Sequence, residues 1–469
     1  MRIPILNGIY TDNGPDFRTS YPVNMVPVPM QNGINEGYLR PADGIIGNGT
    51  GPGTDRGGIN WNGVCYRVMG SKLVTVNPNG STLVLGDVDD DGMPVTLDYS
   101  FDLLGIASAD KLFYYNPVSA TVTQVSDADL GPVIDFCWVD GYFMTTDGES
   151  LVVTELNDPY QVNPLKYGSS EIDPDPVVAL LKLRNEVYAL NLNTIEVFDN
   201  VGGEFFPFQR INGAQIQKGC IGTHACCVFV ETVAFLGGGR NEAPSIYLGS
   251  NATATKIATQ EIEQILLGYT ETELASVVME ARANKAHQHL YVHLPDRTLV
   301  YDASASQVMQ VPVWFTLTSS LANWSQYRAH NFVWAYDRWL VGDPTSTAIG
   351  YFDSSVSDHY GQKVRWEFGT TIIYNESKGA VFNQLELVSL TGSVALGENP
   401  TISTSYSIDG VSWSQPKMIS VGTQGSRSKR LVWFQQGHMR NWRIQRFQGD
   451  SDAHVSFVRL EAQLEPLAF

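Results

Sequence analysis

Three stretches of this 469-residue chain carry side chains at spacings that chemistry could use. The first is Asp87-Val88-Asp89-Asp90-Asp91-Gly92, with Asp98 at the twelfth position of the loop. Carboxylates spaced by two around a glycine turn converge on one hard cation, so Asp87, Asp89 and Asp91 form a candidate calcium site. No helix is expected on either flank, and position twelve is Asp rather than a bidentate Glu. A solvated acidic turn between strands accounts for the same residues. The second stretch, Ser407-Ile408-Asp409-Gly410-Val411-Ser412-Trp413, resembles the Asp-box turn of sialidase propellers. Its Asp and Gly are adjacent, so the spacing fails by one, and a type I′ hairpin at Asp409-Gly410 explains it better. The third runs from Thr423 to Arg446 and holds Arg427, Lys429, Arg430, Arg440, Arg443 and Arg446 with no acid among them. Trp433, Phe434 and Trp442 are interleaved. Such a run suits nucleic acid, an acidic protein partner, or simply the wet face of a strand. These six are carried as candidate partner-binding residues.

His287 and His289 alternate along one expected strand and could face one side, but the local sequence offers no third ligand. There is no G-x-S-x-G, P-loop or H-E-x-x-H, so no catalytic residue is assigned and no enzyme is expected. Carboxylate pairs gathered from distant blades would leave no motif, which keeps a propeller glycosidase or a glycan-binding module as the rival class. No cofactor is expected apart from the calcium candidate. The five cysteines, at 65, 137, 220, 226 and 227, lack zinc spacing, and their odd number argues against a disulfide framework. They read as buried thiols made in a reducing cytoplasm.

The elements that would position these residues are strands. Hydrophobic residues make up 43% and charged residues 17%, a folded rather than a disordered composition. Residues 1–56 are rich in Pro, Gly and Asn and read as an extended arm, with 48–58 excluded as helix or central strand. From 57 to about 360 a loose repeat appears. Its second strands are Val64–Val68, Leu112–Tyr115, Tyr142–Thr145, Val187–Leu190, Val233–Leu236, Leu290–His293 and Trp339–Gly342, spaced by about 30 to 57 residues. Third strands follow each, including Thr121–Val125 after the second anchor. Propeller blades are typically ~40–50 residues. A single small sheet cannot bury both faces, whereas radial stacking can. The expected fold is therefore all-β: a propeller of six or seven blades. A small helical insertion spans about 259–283, where Thr270-x-x-Glu273 forms a capping box and helix is expected through Arg282. That insertion is either a contact surface or a lid on a blade. From 361 to 469 longer alternating strands predict a separate, jelly-roll-like β-sandwich.

Charge is divided unevenly. The net formal charge is −19, yet from Lys363 onward 11 basic residues face 9 acids, which leaves −21 on the remainder. Such acidity repels nucleic acid over most of the surface. The N-terminus does not read as a signal peptide, and no stretch approaches the ~18 apolar residues of a membrane span.

Several segments in order resemble the packaged-DNA stabilisation (tail hub, or nozzle) family of short-tailed bacteriophages. They are Gln217-Lys218-Gly219-Cys220-Ile221-Gly222-Thr223, Ala243-Pro244-Ser245-Ile246-Tyr247, Gly249-Ser250, Ile257-Ala258-Thr259, Gly268-Tyr269-Thr270, Val278-Met279-Glu280, His293-Leu294-Pro295 and Leu299-Val300-Tyr301-Asp302-Ala303. Tyr21-Pro22-Val23-Asn24-Met25 and Gly37-Tyr38-Leu39-Arg40 resemble its N-terminal arm, and the Asp409-Gly410 hairpin with the basic strand after it resembles its C-terminal region. The similarity is dense over about 215–305 and patchy elsewhere. The resemblance implies a virion protein made in the host cytoplasm that forms a homo-hexameric ring below the portal and its adaptor. It implies docking of the tail needle and of fibres or spikes, and packaged DNA passing through the channel without sequence-specific binding.

Overall fold

Among the described residues seven small antiparallel sheets follow one another along most of the chain, six built from strands near in sequence and the seventh completed by a strand from the N-terminal region. The computed structural model describes residues 1–6, 8–12, 17–30, 37–156, 158–171, 173–203, 205–375 and 378–467. Blade 1 shows the plan: Asp55–Trp61 innermost, then Val64–Met69, Lys72–Val76 and Thr82–Asp87 outermost. The first two strands are joined at Asn62-Gly63, both with positive φ (52° and 78°), the backbone that a two-residue turn between right-twisted strands requires. Asp140-Gly141 and Tyr336-Asp337 repeat it in blades 3 and 7. The second strands are buried almost throughout because both faces meet a neighbouring blade. Hence they read as continuous apolar and aromatic runs rather than as alternation.

The blade count is seven, with two corrections of detail. In blade 2 the innermost strand is Thr96–Tyr99, so Leu112–Tyr115 and Thr121–Val125 belong to the third and fourth strands, not the second and third. Thr96–Tyr99 is only half-buried and carries no apolar run to announce it. The second helix stops at Ala275, with the Thr270–Glu273 capping box in place, and Val278–Asn284 is the inner strand of blade 6. Ile262, Leu266 and Leu274 of the two inserted helices are buried with blade side chains, so these helices close a blade junction. A third helix, Ala303–Met309, follows the third strand of blade 6.

The expected N-terminal arm is largely strand. Gly44–Thr50 pairs antiparallel with Ala348–Asp353 and supplies the fourth strand of blade 7, so first and last segments of the propeller share one sheet. Glycine is needed here for close approach: a Cβ on Gly49 would lie 2.1 Å from the Gly80 carbonyl oxygen. Residues before it join the sandwich. Met25–Pro29 and Gly37–Pro41 extend the sheet formed by Ser456–Pro466, Ala380–Leu390 and Leu431–Phe434. Between these roles, Val23 N–H donates to the Glu367 carbonyl (2.8 Å), and the Asn24 side chain donates to the carbonyls of Thr318 (2.9 Å) and Arg365 (2.6 Å). The arm is thus a seam between the two parts. Its positions 7, 13–16 and 31–36 lie outside the described residues.

Buried carboxylates tie successive blades together. Trp138 N–H of blade 3 donates to Asp98 of blade 2 (2.6 Å), and Leu180 N–H of blade 4 donates to Asp135 of blade 3 (2.7 Å). Asn331 and Phe332 N–H of blade 7 donate to Glu280 of blade 6 (2.7 and 2.6 Å). Asn331 then donates its side-chain amide to Asp55 of blade 1 (2.6 Å), which also accepts from Arg67 (2.8 Å). An inner strand has one edge without a partner strand, and these acceptors satisfy donors there that burial would otherwise strand.

The second sheet of the sandwich is Arg365–Gly369, Trp442–Asp450, Thr401–Ser407 and Lys417–Ser420. Its core includes Phe368, Phe382, Trp433 and Phe447. Arg443 sits inside it, fully buried, between the rings of Phe382 and Tyr406 at 4.1 and 3.9 Å. Its guanidinium donates to the Gln445 side chain (2.7 and 3.1 Å) and the Gln436 carbonyl (2.5 Å). Burial pulls its pKa down to about 9, which leaves it charged at neutral pH.

Two predictions follow from these burials. Arg443→Glu puts a carboxylate against the same aromatic faces and acceptors and should cost about 3–5 kcal/mol in a denaturant melt, the range for an uncompensated buried charge. Arg440→Glu, on the exposed surface, should stay within about 0.5 kcal/mol; equal tolerance at both sites would show that Arg443 is solvated. Burial also pushes the Asp135 carboxyl up to about 7 despite its hydrogen bonds. Between the unfolded carboxylate pKa, near 3.8, and that value, the folded chain holds a proton the unfolded chain has released. Stability relative to Asp135→Asn should therefore fall as pH rises across that window, by at most ~1.4 kcal/mol per unit, and level off above it. A difference that does not vary with pH would show Asp135 ionised in the fold.

Candidate functional site

The inner strands of blades 1, 6 and 7 begin around a cavity of about 330 Å³, lined among others by Asp55, Pro94, Val278, His293 and His330. Glu280 stands two residues along the inner strand of blade 6. His293 ends the second strand of that blade, and the ladder pairs Val278 with His293 and Glu280 with Tyr291. Side chains two apart share a face, so Glu280 and His293 meet: His293 Nε2 is 3.3 Å from Glu280 Oε1. His330 opens the inner strand of blade 7, with its ring centroid 3.9 Å from that of His293. A register shift between His330 and Val333, with Asn331 at φ 56°, turns the N–H groups of 331 and 332 toward Glu280. His293 Nδ1 is engaged with the Thr298 hydroxyl (2.9 Å). Burial holds His293 down to about 3 and keeps His330 well below the usual imidazole range, so both rings are neutral near pH 7.

A second cluster lies on blade 6. His287 Nδ1 is 2.5 Å from Asp302 Oδ2, and His289 Nε2 is 3.3 Å from the same oxygen. His287 and His289 do share a face, and the third group is Asp302, directly across the ladder from His289. Burial alone would raise the Asp302 carboxyl, but the His287 hydrogen bond and the adjacent His289 imidazole hold it below the carboxylate range. Its other oxygen caps Ala303–Met309 through Ala305 N–H (3.0 Å).

The sequence-picked residues are placed differently. Asp87 pairs with Lys72 (2.6 Å), Asp89 with Lys111 (2.6 Å) and Asp91 with Arg56. Asp87 and Asp89 each have a lysine, and Asp91 shares Arg56 with Asp90. Among the described residues, the groups of three or more potential ligand side chains are the two imidazole clusters, and this loop is not one of them. Asp98 points away, taking Trp138 N–H. Of the basic run, Arg427, Lys429 and Arg440 are exposed; Arg430 is exposed but held bidentate on Glu386 (2.7 and 2.5 Å). Arg446 is half-buried over the Trp413 ring (4.0 Å), and Arg443 is core, which takes Arg443 off any contact surface. Glu280, His293 and His330 escaped the sequence reading because they lie 13 and 37 residues apart and meet only through blade packing.

Two family models match the chain: "Bacteriophage P22 Gp10, beta-propeller" over residues 1–357 and "Bacteriophage P22 Gp10, beta-sandwich" over 365–465. The first begins ahead of the propeller proper, in keeping with the strand that residues 44–50 give to blade 7. The tail hub protein gp10 of Salmonella phage P22 is 28% identical over 462 residues, 94% of each chain. Among solved structures, the WD40 domain of Neurospora crassa Pan2 aligns at a TM-score of 0.42 and 8% identity, over 66% of this chain and 95% of that one. The designed Ika8 protein aligns at 0.38 and 11%, over 66% and 100%. Such distant likenesses carry no argument. No helix among the described residues is long and apolar enough to cross a membrane. With both its propeller and its sandwich matched, the chain belongs to the Bacteriophage P22 Gp10 family.

Proposed function

We propose that this chain is a structural subunit of a phage tail hub, that six copies close into a ring below the portal and its adaptor, and that the ring retains packaged DNA. The observation that carries the reading is the colinear match of propeller and sandwich to a tail hub protein over 94% of both chains. The charge supports it. Residues before Lys363 carry a net −21, and a channel wall drawn from so acidic a segment would neutralise few phosphates, so DNA would slide past rather than stick. Buried carboxylates at the propeller mouth support a structural role over a glycosidase, because Asp55 and Glu280 are occupied in holding blades together. The sandwich offers material for contacts with other virion proteins, the needle and the fibres or spikes among them. Leu390, Leu396, Val411, Met418 and Phe434 are large, apolar and exposed there, beside the exposed Arg427, Lys429 and Arg440. In such contacts buried aromatic and apolar groups supply affinity, and charge sets encounter rate and register.

The test is particle assembly in cells lacking the gene, with and without the chain supplied in trans. Particles without it should fill and then lose their DNA, and the supplied chain should restore nuclease-resistant genomes. Full retention of DNA in its absence would refute a retaining role.

A further inference from the structure

We propose that Glu280, His293 and His330 bind a divalent metal ion of the zinc class, which fastens blade 6 to blade 7 at the mouth of the propeller. The three residues each offer one ligand atom, all within 4.8 Å of one another. Two imidazole nitrogens and one carboxylate oxygen are the donor set that a borderline divalent ion favours. The 3.3 Å between His293 Nε2 and Glu280 Oε1 suits two ligands each ~2.0–2.2 Å from one ion. The second observation is independent of the clustering. His293 and His330 are 4% and 7% exposed, and the Nε2 of each is buried without a hydrogen-bond partner. Buried polar atoms are normally satisfied, so two such orphans side by side point to a missing ligand.

The surroundings are those of a prepared site. His293 Nδ1 against Thr298 Oγ1 (2.9 Å) fixes the ring with Nε2 toward Glu280, the outer contact that metal-bound imidazoles usually have. Glu280 is fixed by two backbone N–H groups of blade 7, which leaves lone pairs for an ion. Both histidines line the mouth cavity, which gives an ion a route in. The other cluster is less suited. There His289 is also buried with neither ring nitrogen hydrogen-bonded, but Asp302 is engaged by the His287 side chain at 2.5 Å and serves as a helix cap, whereas Glu280 is held only by backbone N–H groups. The inference does not rest on the tail-hub reading, since it concerns a blade junction.

The experiment uses the full chain, stripped with chelator and dialysed. Zinc is titrated by calorimetry, cobalt(II) serves as an optical probe, and melting is followed with and without zinc. One zinc per chain is expected, with a higher melting temperature and cobalt d–d bands lacking a thiolate charge-transfer band. His330→Gln should weaken zinc at least ~100-fold, the upper end of losses seen when even an outer-shell partner is changed. Thr298→Val should weaken it less, and His287→Gln should leave it unchanged. If the stripped wild-type chain takes up no zinc and melts identically with it, the proposal fails whatever the variants do. A cobalt thiolate band, or binding lost in His287→Gln and kept in His330→Gln, would place the metal elsewhere and also overturn it.

Discussion

A carboxylate on one inner strand accepting an N–H from a neighbouring blade fixes four of the seven junctions of this propeller. Asp98, Asp135 and Glu280 do it for three junctions, and Asp55 completes the turn from blade 7 to blade 1 through Asn331. Apolar packing between blades is strong but slides easily, because one aliphatic face resembles another. A carboxylate aimed at a named N–H fixes the angle between two sheets, and leaving it unpaired in the interior would cost several kcal/mol. Gly342 shows how closely the last junction is fitted. A Cβ there would lie 2.1 Å from the Asp55 carboxyl carbon.

The same junction explains why the chain's beginning matters to its middle and end. Residues 44–50 finish blade 7, residues 23 and 24 bridge blade 6 and the sandwich, and residues 25–41 extend a sandwich sheet. One segment therefore makes contacts across both parts, and neither is complete without it. Loop closure over some 300 residues adds only slowly to the entropic cost, while a shared blade removes two sheet edges.

Much of the propeller was legible because middle strands are covered on both faces. Val187–Leu190 and Val233–Leu236 stand out as apolar runs in the sequence and are central in the fold. Thr96–Tyr99 was not legible, since its four residues are at most half-buried and form no apolar run. Helical spacing at Val277 and Val278 misled because period alone does not separate a short helix from a buried strand. Gly49, in the stretch excluded as helix or central strand, serves an outer strand pressed against the turn at Gly80. Arg443 looked like surface charge, for nothing in the local pattern reveals two aromatic rings brought from residues 382 and 406. The alternation of His287 and His289 was read correctly, but Asp302 and the trio at the mouth are assembled by ladder register and blade packing, which no spacing rule records.

We propose that these subunits form the wall of a phage tail channel. A cryo-electron-microscopy reconstruction of the tail from particles containing this chain tests it most directly. The account predicts a closed ring of copies coaxial with the DNA below the portal, with sandwich surfaces at contacts to other virion proteins. Single copies attached at the tail periphery, away from the DNA path, would contradict it.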